Sequence, residues 1–201
     1  MDVKLNHNRT TRLVHAGLAL AIIMQLLSAQ FMQVPRDDRL GNTAFEVHEY
    51  SGMLALGLAV LFWLTAIRRT VGTDAAALLP WFNAGRRHAL RQDLLRFWQD
   101  LKRLKLPAHR DASPLVSGIH GLGLLLVTGM ALSGTIYAIS GLVGGQKNGA
   151  VHLMMDVHGA AGNLVWAYLI GHAGMAVIYH FKSSFDLRDM WSFRSGTSKG
   201  N

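Results

Sequence analysis

The stretch HLMMDVHGAAGNLVWAYLIGHAGMAVIYHF near the C-terminus constrains this chain most. A hydrocarbon layer is spanned by roughly 20 apolar residues in a helix, and the part over 153–181 is long enough. It carries His158 and His172, 14 residues apart. Fourteen residues are close to four helical turns, so both imidazoles lie on one face, about 21 Å apart along the axis. Ionisable side chains at such depths are costly and face the bundle interior, where they serve ions, protons or cofactors. The spacing therefore suggests two binding levels, one near each face of the membrane. The working expectation is that each of these histidines binds one haem iron.

Three further apolar runs occupy about 12–34, 45–67 and 114–139. The first follows a short basic arm, and Ser28-Ala29-Gln30 faintly resembles a signal-peptide cleavage site. The run is longer than the roughly 7–15 residues of a signal core, and cleavage would remove His15, so it reads as a retained span. Only 16% of the residues are charged, against about 25% in soluble domains, and these charges cluster. The expected fold is an all-α integral membrane protein, a four-helix transmembrane bundle forming a single membrane domain over 1–201.

The segment 68–113 is too polar to cross, and 182–201 is a polar tail whose Phe185, Met190 and Trp191 suit the interface. Within GRRHALRQDLLRFWQDLKRLKL, Leu90, Leu94, Phe97, Leu101 and Leu104 recur at helical spacing with Arg and Lys opposite. This pattern predicts an amphipathic helix on anionic headgroups, or alternatively one packed on a partner subunit. Of the 20 Lys and Arg residues, 17 fall in the N-terminal arm, this loop and the tail. The positive-inside rule then places both termini and the loop in the cytoplasm. The same distribution explains the net charge of +8 through topology, without nucleic acid.

Orientation pairs the histidines by depth. His15, early in the first span, and His172, late in the fourth, lie toward the cytoplasm; His48 and His158 lie toward the outside. The matched pairs are His15 with His172 and His48 with His158. Their depths agree at the inner level if the first helix starts before residue 12 or the fourth tilts. The chain has no cysteine, which excludes thiolate ligands, iron–sulfur clusters and thioether-attached haem. Gly17, Gly52, Gly121, Gly159, Gly162 and Gly174 lie beside or a turn from histidines, where they admit a planar ring or simply close helix packing. His120 is an alternative partner for His172, or a contact to a haem propionate or a quinone, as is Arg12. His180 and His152 suit the interfaces, while His7, His88 and His109 lie in polar segments. Met24, Met53, Met130 and Met175 read as apolar packing.

The segments RLVH, VHEYSG, IHGLG and HGAAGNLVWAYLIGH, taken in order, resemble the bacterial cytochrome b561 family, which is related to the b-type cytochrome subunits of nickel-iron hydrogenases and formate dehydrogenases. The similarity covers the four spans. It implies haem ligands from the first, second and fourth helices, which fall on His15, His48, His158 and His172. The long basic loop departs from compact members and is closer to the dehydrogenase-associated cytochromes.

The expected function is a di-haem b-type cytochrome moving electrons across the membrane to or from a quinone. It would act either as a respiratory subunit or as an independent oxidoreductase, including superoxide-to-quinone activity. Its partners would be lipid, quinone, and a periplasmic or membrane-associated redox protein or dehydrogenase subunit. The competing class is a haem-free transporter that uses the histidines for protons or a divalent metal.

Overall fold

The computed structural model describes residues 9–35, 39–68, 75–107, 113–144 and 148–182. His7, His109, Phe185, Met190 and Trp191 lie outside the described residues. Among the described residues, four helices are long and apolar enough to cross a membrane: α1 (Arg9–Phe31), α2 (Thr43–Ile67), α5 (Pro114–Leu142) and α6 (Gly149–Phe181). Between α2 and α5 lie α3 (Ala75–Leu78), a 3₁₀ turn at Pro80–Phe82, and α4 (Ala84–Lys102).

Helix starts follow local chemistry. Orphan N–H groups of a first turn need acceptors, and short polar side chains provide them. Asn42 accepts from Phe45 N at 3.1 Å, Asn83 from Arg86 N at 3.1 Å, Ser113 from Val116 N at 3.2 Å, and Asn148 from Ala150 N at 2.9 Å. Asn42 also donates to the Phe31 carbonyl and accepts from Gln33 N, so one side chain joins the end of α1 to the start of α2. α4 ends as Lys105 N bonds Asp100 O and Leu104 N bonds Leu101 O, a Schellman arrangement. It sets Leu104 at φ 53°, in the left-handed region.

In hydrocarbon, helices associate through close packing, which small residues permit. Ala55, Ala59 and Ala66 of α2 are buried, and α2 lies between α1 and α5. Leu18 and Ala21 of α1 meet this seam from one side; Leu124, Val127 and Ala131 of α5 meet it from the other. Trp63 of α2 donates to Thr128 of α5 at 3.1 Å. α6 packs along α5.

The segment read as a surface loop enters the bundle more deeply than its polarity implied. Leu78 belongs to the core cluster and Pro80 is fully buried. Their seats are glycines of α5: a Cβ at Gly121 would overlap the Leu78 carbonyl, and one at Gly118 would stand 3.2 Å from Pro80 Cγ. α4 is tethered to α5 by Asp93, whose carboxylate accepts from Ser113 Oγ and from Leu115 N, at the positive end of α5. The amphipathic stripe is consequently divided. Leu90 and Phe97 are partly covered, whereas Leu94, Leu101 and Leu104 are exposed. Beyond α4, the Pro107 carbonyl accepts from Tyr179 OH of α6 at 2.9 Å.

Overpacking a closed contact typically destabilises by about 1–3 kcal/mol. Gly121→Ala should therefore lower the unfolding temperature in detergent, whereas Gly129→Ala, where nothing stands within 4 Å of the added carbon, should leave it unchanged.

Candidate functional site

Two pairs of imidazoles from distant parts of the chain meet inside the bundle. His15 of α1 and His172 of α6 have ring centroids 6.3 Å apart and planes inclined at 55°. His48 of α2 and His158 of α6 are also 6.3 Å apart, at 76°. The fourteen-residue separation on α6 puts the pairs about 21 Å apart along that helix. α1 begins at Arg9, earlier than residue 12, which supplies the extra turn that brings His15 level with His172.

The separation has a chemical meaning. An imidazole nitrogen binds a first-row metal at about 2.0–2.1 Å, and a five-membered ring with bonds of about 1.35 Å has a radius of about 1.15 Å. One metal ion centred between two imidazoles therefore sets their centroids roughly 6.3–6.5 Å apart. Among the described residues, no cluster of three or more His, Cys, Asp or Glu side chains comes together as a metal site. His15 with His172 and His48 with His158 offer two donors at each level, which suits a metal whose remaining ligands come from a flat macrocycle better than a bare cation needing four protein ligands.

Hydrogen bonds set the tautomer at one level. His48 Nδ1 lies 3.1 Å from the Gln25 carbonyl and 3.1 Å from Ser28 Oγ. The Ser28 hydroxyl donates to the Met24 carbonyl at 2.7 Å, so its oxygen is free to accept. His158 Nδ1 lies 2.8 Å from Ser133 Oγ, and that hydroxyl donates to the Met130 carbonyl at 2.9 Å. Both Nδ1 atoms are thereby assigned as donors, which leaves the lone pair on Nε2. Partners of this kind fix the ring orientation and basicity of metal-binding histidines. Gln25 braces the same region by donating to the His48 carbonyl and to Ser51 Oγ.

The other level is built from rings. Tyr168 lies flat against His172, with centroids 5.5 Å apart and planes 9° from parallel. His120 meets His172 edge-on at 5.1 Å. Arg12, one turn before His15, is 3% exposed and Thr11 beside it is 2% exposed. A guanidinium this enclosed places fixed positive charge at the start of α1.

The other described histidines are elsewhere. His88 is exposed on α4 and pairs with Gln92 at 2.8 Å. His152 is exposed, and His180 neighbours Phe181 at the end of α6. The glycines divide by role. Gly17 faces Leu58, Gly52 faces Gln25 and Gly121 faces Leu78, so these serve packing. Gly159, Gly162 and Gly174 have no atom beyond their local helix backbone within 4 Å of a Cβ position, which leaves them suited to a planar neighbour.

Sequence reasoning missed Ser28, Ser133, Gln25 and Tyr168. Ser28 was considered only as part of a cleavage motif. A usable signal existed in the rule that hydroxyls within a span seek partners inside the bundle. What it lacked was the azimuth of each hydroxyl relative to the next helix.

No curated relative and no solved structure matches the chain. The family model for prokaryotic cytochrome b561 matches residues 6–193, which takes in all four spans, the intervening loop and both histidine pairs. The chain belongs to the prokaryotic cytochrome b561 family: it is a multi-pass inner-membrane b-type cytochrome, a haem protein of electron transfer.

Proposed function

We propose that the chain is a di-haem cytochrome b that relays electrons across the membrane to or from a quinone. The observation that carries this reading is the pair of 6.3 Å imidazole separations, stacked at two depths. In it, His15 and His172 hold the inner haem, and His48 and His158 hold the outer one. Haem b, when bound, would supply one-electron chemistry, and two histidines would hold each haem. Ser28, Gln25 and Ser133 hold the Nδ1–H of the outer imidazoles, so that Nε2 points its lone pair toward the metal. At the inner level, Arg12 places positive charge where a haem propionate or quinone oxygen would approach. His120 stands beside His172 as the group able to pass a proton between an imidazole nitrogen and a quinone oxygen.

The charge distribution supports an orientation with both termini and the loop carrying α4 in the cytoplasm. Partners would then be lipid, a membrane quinone, and a dehydrogenase subunit or other redox protein.

A pyridine haemochrome assay on purified protein should give two haems per chain. His172→Ala and His48→Ala should each lose one, and two equivalents remaining after either change would overturn the ligand assignment. Ser133→Ala should retain both haems but weaken the outer one on the order of 10- to 100-fold, the usual effect of losing such a support.

Reduced protein should be reoxidised by added ubiquinone analogue, and His120→Ala should slow this; no reoxidation would remove the quinone link. Superoxide-dependent quinone reduction in the same assay tests the enzymatic version, and its absence would confine the chain to electron relay.

The natural chain has no cysteine, so single cysteines report topology cleanly. In spheroplasts a membrane-impermeant maleimide should label Leu40→Cys and not Leu104→Cys, both at positions more than nine-tenths exposed; the converse would invert the orientation.

A further inference from the structure

The two imidazole pairs are supported differently. His48 and His158 are held by hydrogen bonds from neighbouring helices, whereas His172 sits among rings. Tyr168 precedes His172 by four residues, so both project from one face of α6. Their ring separation and near-parallel planes are those of an offset stack, which resists rotation of either ring. The opposing surface of α5 carries His120 and, about one turn on, Gly123. A Cβ at Gly123 would overlap the Tyr168 ring and its hydroxyl, so the tyrosine lies where it does because residue 123 has no side chain. With Tyr168 across one face of His172 and His120 against its edge, few rotations of that imidazole about its own axis remain open.

We infer that Tyr168 is a positioning residue, which, seated in the space left by Gly123, sets the plane of the His172 imidazole relative to that of His15. This rests on the proposed ligation of the inner haem by His15 and His172. The plane of an axial imidazole determines which metal d orbital its π electrons raise, so the angle between two axial planes governs the g anisotropy of low-spin ferric haem. The 55° of the inner pair and the 76° of the outer pair should therefore give separate signals. Rotating one ring should move one signal alone.

The test is low-temperature electron paramagnetic resonance on oxidised full-length protein, with haem counted on the same samples. Loss of a feature in His172→Ala identifies the inner haem. Tyr168→Leu keeps apolar volume but removes the stack, and Gly123→Ala displaces the tyrosine. Each should shift the inner feature's largest g value, leave the outer feature in place and retain two haems. Tyr168→Phe keeps the ring and should match the natural protein. An unmoved inner feature in Tyr168→Leu at full haem content would overturn the inference, as would equal movement of both features, which would indicate a general packing role. A natural protein lacking any bis-imidazole signal would instead sink the di-haem reading itself, a result distinct from the other two.

Discussion

A polar ring placed in hydrocarbon has no water to turn to, so every imidazole within the spans must find its partners inside the protein. That requirement orders this molecule. Four histidines converge in two pairs, and at the level of His48 and His158 the hydrogen-bonding groups are drawn from neighbouring helices. His48 of α2 leans on Gln25 and Ser28 of α1, and His158 of α6 leans on Ser133 of α5. The two arrangements share a design. In both, a helical serine returns its own proton to a backbone carbonyl of its helix and offers its oxygen to the imidazole.

The rest of the bundle keeps these helices at fixed distances. α2 lies at the centre because its buried face is alanine, which allows α1 and α5 to approach on both sides. Two glycines of α5 perform the same service for α3 and the following turn, and they close the end of the bundle beside His120. α6, the helix with two of the paired histidines, packs along α5 and presents glycines with open surroundings.

Some of this was legible without coordinates. Hydrocarbon thickness demands long apolar runs, and all four are helices whose edges differ by a few residues from those read in the sequence. The surface helix of the loop was also legible, from its periodicity. The insertion of Leu78 at the end of Ala75–Leu78 was not, because four alanine-rich residues carry no period and the seat of Leu78 depends on Gly121, some forty positions later. On α4, Asp93 reaches Ser113 and Leu115 at the start of α5, while Leu94 and Leu101 stay exposed, as an amphipathic surface helix requires.

The sequence by itself determined the number of spans, the absence of thiolate chemistry and the two depths at which histidines occur. Each of these depends on quantities local to one helix, namely its length, composition and rise per residue. Only the tertiary structure decided how each helix is rotated toward its neighbours. That rotation made Ser28 a support for His48, set Gly123 of α5 against the Tyr168 ring, and separated the glycines that pack helices from those with room beside them. Azimuth is set by contacts between residues far apart in the chain, and no single helix contains that information.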